Sequence, residues 1–331
     1  MDIRNIPTLF GLPEAEQITE LTAGHINRTF LADCSGERYI LQSLNSSVFY
    51  SPEAVMNNIG RVDAVLSQSQ CRFIAVPHFI AYGDKNYAAA DGELWRIYRY
   101  VTAAAGAAAD AAAAGRAFGE FIRLMDGKNL SPVPVIKGYH DFSSYYSELK
   151  DLGGASPDTM QTIDHLCEDM ERVFGDSLKK RIIHGDAKAD NIVMSSPPTI
   201  IDLDTVMYGY AAIDYGDLVR SVCGENADIS AVQQVTAGFA DGLSGILTAE
   251  EVNSLYHGIL RSTGELAVRY LADSLRENRY FRSRSRAQCL ARAEELIVQL
   301  NRFREHESEL TELIQREFQR SSSCIIHHCM L

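Results

Sequence analysis

Two short polar motifs contain the residues of this chain whose types and spacing best fit catalysis. Residues 183–191 read Ile-His-Gly-Asp-Ala-Lys-Ala-Asp-Asn, with Asn191 five residues after Asp186, and Asp202 follows in the run Ile-Ile-Asp-Leu-Asp. Phosphoryl transfer needs a carboxylate that orients and deprotonates the attacking hydroxyl, together with metal ligands that hold the phosphates. The spacing therefore predicts Asp186 as the catalytic base and Asn191 and Asp202 as ligands of Mg²⁺.

Three further residues of these motifs have predicted roles. Lys188, two residues after the base, is expected to reach the transferring phosphate, and His184 is expected to support the loop backbone. Asp204 is either a further metal ligand or a structural hydrogen-bond acceptor. The competing interpretation of the motifs, a helix cap and two surface acids, is disfavoured because both lie within apolar strands where unpaired charges are costly.

The elements that must position these residues differ between the two halves of the chain. Short alternating runs at 28–33 and 38–42, joined by turn residues, predict a β-hairpin, and 94–101 predicts a further half-buried strand. Ser51 followed by Pro52 predicts a helix start, with apolar residues at helical spacing behind it. Beyond this half, short β-type runs surround the two motifs, and 230–316 has a helical pattern. The sequence therefore predicts an α+β fold.

A composition shift marks the expected boundary between two lobes. Residues 103–114 contain ten alanines, which indicates a helix or a tolerant connector, since alanine is the best helix former. We expect residues 1–101 to form an N-terminal lobe and residues 102–331 to form a C-terminal lobe.

Composition excludes several classes of function. The 331 residues have a net charge of −13, so no general basic surface for nucleic acid is expected. Neither a secretory leader nor a membrane span is expected, and the seven scattered cysteines fit a reducing compartment, so the expected location is the cytoplasm. The segment 324–329, with two cysteines and two histidines, is expected to be a disordered tail rather than a metal site. The oligomeric state is open.

The motif H-G-D-x-K-x-x-N, followed by I-D-x-D, resembles the aminoglycoside phosphotransferase and choline kinase superfamily, which has a protein-kinase-like fold. Further segments resemble the N-acetylhexosamine 1-kinase family more closely. They are the segments 22–30, 39–49, 202–207, 214–220 and 267–281. The resemblance implies a bilobal structure. The N-terminal lobe, 1–101, would bind the nucleotide with a small antiparallel sheet, and the mainly helical C-terminal lobe, 102–331, would be catalytic and bind the acceptor. It also implies transfer of the γ-phosphoryl group of ATP to the anomeric hydroxyl of N-acetylglucosamine or N-acetylgalactosamine, with Mg²⁺ as cofactor.

The resemblance also implies the nucleotide site. Residues 22–29 would take the place of the glycine-rich loop, with Gly24, Asn27 and Thr29 as nucleotide contacts, although an ordinary turn is the alternative. Residues 96–101 would be the hinge whose backbone groups pair with adenine, with Arg99 and Val101 as nucleotide contacts.

One position of the nucleotide site departs from the wider superfamily. Gln42 occupies the strand position where protein kinases have a phosphate-binding lysine. The phosphate-binding cation is therefore expected to be Lys188 or, less favourably, Arg38.

For the acceptor, the resemblance implies contacts from His25, Arg269 and Tyr280, each with a purely structural role as the alternative. Asp214 and Asp217 are expected to cap or pair, the partner being Arg220. The alternatives to a hexosamine kinase are a related kinase for another sugar, choline, homoserine or an aminoglycoside, and a nucleotide-binding pseudokinase. A cationic acceptor is disfavoured because a buried arginine would repel it.

Overall fold

The chain is described from a computed structural model. It covers residues 2–22, 26–69, 72–104, 110–276, 280–281 and 284–329, with side chains up to residue 323. Two predicted contacts, Gly24 and His25, lie outside the described residues. Clustering of contacts divides the chain into two compact units. The first contains 1–107, 129–137 and 193–206, and the second contains 108–128, 138–192 and 207–331.

The first unit is built on a five-stranded antiparallel sheet in the order β1-β2-β3-β5-β4. A four-residue helix, α1 (Ile6–Leu9), precedes the sheet, and α2 (Pro52–Gln68) follows its third strand. The strands are β1 (Gln17–Leu21), β2 (Arg28–Cys34), β3 (Glu37–Leu44), β4 (Ala88–Ala90) and β5 (Glu93–Arg99). The predicted hairpin is confirmed as β2 and β3, and residues of both strands pack in a buried cluster that includes Phe30, Leu41 and Trp95.

Local sequence signals account for α2. The hydroxyl of Ser51 accepts a hydrogen bond from the backbone N–H of Ala54, and Pro52 is the first helical residue. These are the features of a helix N-terminus, where a capping oxygen satisfies an amide that has no partner inside the helix. The predicted helix start is confirmed, and the apolar residues at helical spacing are buried.

The prediction of a half-buried strand at β5 is wrong. Trp95, Arg96, Ile97 and Tyr98 are all buried, so both faces of the strand are covered. The alternation of residue types suggested one solvent-exposed face, but Arg96 on that face is buried. Its burial is possible because an acidic partner, described below, meets the guanidinium.

The second unit is mainly helical. Its helices are α3 (Ala111–Met125), α4 (Phe142–Asp151), α5 (Pro157–Val173), α6 (Ala211–Cys223), α7 (Ile229–Leu243), α8 (Ala249–Leu275), α9 (Arg286–Glu305) and α10 (Glu307–Cys329). The long helix α8 is buried along most of its length and packs against α4, α5, α6, α9 and α10. Because α10 continues to Cys329, the expectation of a disordered tail is wrong for its backbone.

Four very short strands flank the motifs. They are β6 (Arg181–Ile183), β7 (Ile192–Val193), β8 (Thr199–Ile200) and β9 (Met207–Gly209), which pair as β6 with β9 and β7 with β8. The α+β class, with an antiparallel sheet in the N-terminal region and helices in the C-terminal region, is confirmed.

The contact-based units do not follow the single boundary expected between residues 101 and 102. The first unit takes in 193–206 because Ala75 pairs with Thr199 and because Asp204 is bonded to residues of the sheet. It takes in 129–137 because Asn58 is hydrogen-bonded to Val133. The boundary of the functional lobes stays a prediction. Among the described residues, no helix is long and apolar enough to cross a membrane.

Candidate active site

Hydrogen bonds in the second unit hold the loop between β6 and β7 in one conformation. The Nζ of Lys188 donates to Oδ2 of Asp186 at 2.7 Å, and the amide nitrogen of Asn191 donates to the same oxygen at 2.8 Å. The Asn191 amide also donates to the backbone carbonyl of Asp186 at 2.7 Å. The structure therefore brings together the predicted base, the predicted phosphate-binding lysine and one predicted metal ligand.

The protonation state of Asp186 follows from its surroundings. Burial alone would raise its pKa, but the charge and hydrogen bond of Lys188, the nearby His184 and the Asn191 amide together hold the pKa below its ordinary value. The group is therefore a carboxylate at neutral pH. An ionised carboxylate beside an ammonium can orient a hydroxyl and receive its proton as phosphoryl transfer proceeds.

Helix α6 supports the loop through Asp214. Its two carboxylate oxygens accept the backbone N–H groups of His184 and Gly185, at 2.7 Å and 2.8 Å. Burial raises the pKa of Asp214 to about 6, while His184 and these two hydrogen bonds oppose that rise. His184 itself packs its ring against Phe118. The predicted structural role of Asp214 is thus seen, and that of Asp217 is seen in its 2.7 Å ion pair with Arg220.

A second cluster of the same unit surrounds Arg269. Its guanidinium carbon lies 4.8 to 5.7 Å from the centroids of four aromatic rings, those of Tyr139, Tyr145, Tyr280 and Phe281. Arg269 and Tyr280 were predicted from the sequence, whereas Tyr139 and Tyr145 were missed. They lie more than a hundred residues earlier in the chain, and no local pattern marks them.

The aromatic hydroxyls of this cluster are neutral at physiological pH. Burial raises the pKa of Tyr139 well above its ordinary value, and the negative charge of Asp186 raises it further. Burial also raises the pKa of Tyr280, against the opposing effect of Arg269 and with a contribution from Asp186. Both hydroxyls thus remain hydrogen-bond donors, and the field of the predicted base reaches them.

The first unit contains a buried polar network around Asp204. Arg96 donates from Nη1 to Oδ1 at 2.5 Å and from Nη2 to Oδ2 at 3.1 Å, and the amide of Asn27 donates to Oδ2 at 2.7 Å. The Nε of Arg96 donates to Gln42, whose amide donates to the hydroxyl of Thr29. Both carboxylate oxygens of Asp204 thus have donors, which favours the structural role for this residue.

Asp202 lies at the start of a 3-10 helix in this unit, with φ 61° and ψ 52°, and it lines a small cavity together with Gln42, Arg96 and Tyr98. The left-handed conformation is uncommon for a residue with a side chain and is frequent at functional sites. Carboxylate and amide oxygens are the hard donors that Mg²⁺ prefers, so Asp202 in this unit and Asn191 in the other have fitting chemistry. Among the described residues no group of three or more His, Cys, Asp or Glu side chains is gathered in metal-binding geometry.

Of the predicted nucleotide contacts in this unit, two are hydrogen-bonded to other protein groups and a third is exposed to solvent. Asn27 and Thr29 belong to the network of Asp204. Arg99 is 69% exposed at its side chain and pairs with Glu37, and Val101 follows two residues beyond the end of β5. Arg38 is exposed and stacks on the ring of Tyr100, so it takes no part in the buried network.

Arg96 was missed as a functional candidate. An arginine flanked by Trp95 and Ile97 within a strand was the available signal, because a cation in an apolar run implies a buried partner. A cavity of about 450 Å³ also lies in the second unit, among residues of α5, α8 and α9 such as Thr159, Leu271 and Leu290. None of the predicted site residues lines it.

Comparison with known proteins decides the family. The model of the phosphotransferase enzyme family APH matches residues 17–246, which is more than half of the chain and includes both motifs. The chain belongs to this family. It is therefore a phosphotransferase, and the catalytic motifs lie inside the matched region.

Solved structures similar to this phosphotransferase include kinases with several acceptors. One is a microcompartment-associated aminopropanol kinase, with 16% identity, a TM-score of 0.70 and coverage of 93% of this chain and 97% of the other. Another is a spectinomycin phosphotransferase, with 13% identity, a TM-score of 0.59 and coverage of 91% and 97%, in complex with ADP and spectinomycin. A third is an ethanolamine kinase of Plasmodium vivax, with 10% identity, a TM-score of 0.53 and coverage of 86% and 81%. At these identities the similarity establishes the fold of the phosphotransferase.

Proposed function

We propose that this phosphotransferase is an ATP-dependent kinase that converts an N-acetylhexosamine to its 1-phosphate. The proposal rests on the cluster around Arg269, which belongs to the same compact unit as Asp186. A guanidinium presents several N–H donors and no acceptor, so it suits the hydroxyl and acetamido oxygens of a neutral sugar. The hydroxyls of Tyr139 and Tyr280, which stay protonated, add hydrogen-bond donors for sugar oxygens.

The chemical step assigned to the loop is an in-line displacement. The anomeric oxygen forms a bond to the γ-phosphorus of ATP, the bond from that phosphorus to the β–γ bridging oxygen breaks, and ADP leaves. Asp186 receives the hydroxyl proton, and the ammonium of Lys188 offsets the charge of the phosphoryl oxygens. Asn191 and Asp202 would hold Mg²⁺, which neutralises phosphate charge when bound.

The cation inside the aromatic cluster argues against acceptors that carry a positive charge. Aromatic rings bind quaternary ammonium groups when the space between them is open to the ligand. Here Arg269 already lies over the four rings, and its charge would repel choline or an aminoglycoside. Two carboxylates near it have other partners, since Glu265 pairs with His140 and Asp273 accepts the backbone amides of Tyr280 and Phe281.

The second candidate function is a kinase for a different alcohol, such as another sugar, choline, homoserine or an aminoglycoside. The observation that favours it is the resemblance to the aminopropanol kinase, which has a TM-score of 0.70 over 93% of this chain. A pseudokinase is the third candidate, favoured by Gln42 in the place of the strand lysine. The arrangement of Asp186, Lys188 and Asn191 is the argument against it.

A phosphorylation assay with ATP and Mg²⁺ tests the proposal. The acceptor panel should contain N-acetylglucosamine, N-acetylgalactosamine, glucose, galactose, choline, homoserine, 1-amino-2-propanol and kanamycin, with ³¹P NMR of the product to locate the new ester. We expect an anomeric phosphate from at least one N-acetylhexosamine. Product from another acceptor alone would overturn the sugar assignment and keep the phosphotransferase, whereas nucleotide binding without any product would favour the pseudokinase.

A further inference from the structure

His140, which comes just before α4, has an acceptor at each of its two ring nitrogens. Its Nδ1 lies 3.0 Å and 3.2 Å from the two carboxylate oxygens of Glu265, and its Nε2 lies 2.7 Å from the backbone oxygen of Gly185. A carbonyl oxygen cannot donate, and a carboxylate can do so only when protonated. With Glu265 ionised, both ring nitrogens must carry hydrogen, so His140 is an imidazolium.

The charged and titratable groups around the ring are consistent with this state. They are Glu265 and Arg261 on α8, Asp214 and Asp217 on α6, Tyr145 on α4, and Tyr139, whose ring centroid lies 4.2 Å from that of His140. Burial would lower the pKa of His140, but the charge and hydrogen bond of Glu265, the bond to Gly185 and the charge of Asp217 raise it above its ordinary value. Burial would raise the pKa of Glu265, yet His140 lowers it to about 2.

The peptide group that receives the His140 hydrogen bond is the one that joins Gly185 to Asp186. Its carbonyl accepts from His140, and its N–H, which belongs to Asp186, donates to Nδ1 of His184 at 3.3 Å. The preceding peptide group is held as well, because the N–H of Gly185 donates to Asp214. Gly185 has φ 80°, a conformation that glycine adopts readily, so hydrogen bonds rather than side-chain sterics hold this backbone.

We propose that His140, kept protonated by Glu265, is a positioning residue that fixes the peptide plane before Asp186 and so sets the direction of the catalytic carboxylate. The proposal rests on the proposed function, in which Asp186 is the base. A neutral imidazole has a single N–H, so loss of the proton deprives either Gly185 or Glu265 of its donor. Catalysis falls steeply when reacting groups move by about 1 Å, up to about 100-fold.

Three variants and two measurements test the proposal. We expect His140→Ala to lower kcat by about tenfold to 100-fold with little change in KM for ATP, because Asp186 loses its orientation while nucleotide contacts remain. We expect Glu265→Gln to lower kcat at neutral pH and to move the alkaline decline of kcat to lower pH, because the charge that holds the His140 proton is gone and burial then favours the neutral ring. His165→Ala, at an exposed helix position, is the matched control.

The second measurement is the protonation state of His140 itself. Nitrogen-15 NMR of histidine side chains, assigned by the loss of a signal in His140→Ala, should show two protonated ring nitrogens at pH 7.5 in the wild type. If His140→Ala does not fold, the pH dependence of kcat in Glu265→Gln still tests the proposal. A neutral His140 at pH 7.5, or an unmoved alkaline decline in Glu265→Gln, would overturn the proposal. The spectra do not depend on which acceptor is used. A failure of the proposed N-acetylhexosamine activity can therefore be distinguished from a failure of the proposed role of His140.

Discussion

Arg96 lies directly across from Gln42 in the pairing of β5 with β3, and its guanidinium binds both oxygens of Asp204. From the resemblance, Gln42 is predicted to occupy the strand position of the lysine that binds phosphate in protein kinases. The buried cation of this part of the sheet is Arg96 on the neighbouring strand. It forms an ion pair with Asp204, two residues after Asp202. The pairing connects the sheet to the predicted metal-binding segment within the first unit.

Removal of this cation should destabilise the first unit strongly. Arg96→Met leaves the carboxylate of Asp204 buried with Asn27 as its remaining donor among the bonds described above, and breaking one partner of a buried ion pair costs about 3–5 kcal/mol. The free energy of unfolding from urea titration measures the loss. Arg99→Met is the matched control, because the same change at the exposed end of the same strand should cost less than about 1 kcal/mol. Equal losses for both variants would contradict the buried network.

The base assignment predicts a loss of turnover without a loss of nucleotide affinity. Asp186→Asn keeps the shape of the side chain but cannot take a proton, and positioned general bases contribute about 100-fold or more to rate. ATP–Mg²⁺ affinity from calorimetry should change little, because the base is not among the predicted metal ligands. Asp190→Asn, at an exposed position of the same loop, should retain activity. A kcat for Asp186→Asn above about a tenth of the wild type would show that another group is the base.

The ion pair of His140 and Glu265 predicts a window of pH in which it stabilises the fold. The pKa of His140 is raised, so its contribution is complete below its ordinary value of 6.5 and is lost as pH rises through the higher folded value. The pKa of Glu265 is lowered to about 2 from 4.5, so its contribution is complete above 4.5 and is lost as pH falls towards 2. The difference in unfolding free energy between the wild type and Glu265→Gln should therefore be largest between pH 4.5 and 6.5.

Urea titrations at intervals from pH 4 to pH 9 measure that difference. The matched comparison is Glu309→Gln, which removes the carboxylate of an exposed histidine–glutamate pair on the surface. We expect no comparable maximum for it, since exposed pairs contribute little. A flat difference for Glu265→Gln across the range would mean that the buried pair is not ionised as described.

The proposed acceptor site predicts that substitution of Arg269 weakens the binding of the sugar and not the binding of ATP. Arg269→Ala removes the guanidinium that lies over four aromatic rings, so the KM for the sugar should rise by about tenfold or more, while the KM for ATP stays within about twofold. Initial rates with each substrate varied in turn provide the measurement. Arg172→Ala, at a mostly exposed side chain, controls for the change of charge. Parallel losses for both substrates would indicate a folding defect instead.

Close contact of α6 with α8 predicts intolerance at Gly258. A Cβ at this position would lie 2.0 Å from the backbone oxygen of Ala212, a distance that only movement of a helix could relieve. Overpacking of this kind costs about 1–3 kcal/mol, so Gly258→Ala should lower the unfolding free energy by that amount or more. Gly175→Ala, with no atom within 4 Å of its added Cβ, should change stability by less than about 0.5 kcal/mol. Thermal or urea unfolding of the two variants decides the matter.

The parts of the fold that follow from local signals could be predicted from the sequence. The β2–β3 hairpin and the start of α2 depend on residues within a few positions of one another, and both were confirmed. The loop of Asp186, Lys188 and Asn191 is equally local, and its residues do meet.

Partners distant in the chain could not be predicted. Arg96 and Asp204 are 108 residues apart, and His140 and Glu265 are 125 apart, so nothing in the spacing of either pair marks the contact. The prediction that β5 is half buried failed for the same reason, because the alternation of residue types carries no information about a remote carboxylate. The nucleotide contacts assigned to Asn27, Thr29, Arg99 and Val101 stay predictions.

Two parts of helix α8 make different contacts. Gly258 packs against α6, whereas Arg269 lies about three turns further along, within the aromatic cluster. Under the proposed function, substitutions in the distal turns would alter which alcohol is accepted while the contact of α8 with α6 stays intact. For protein engineering, this makes the distal part of α8, with the tyrosines that face it, the region to randomise in a library that seeks new acceptors.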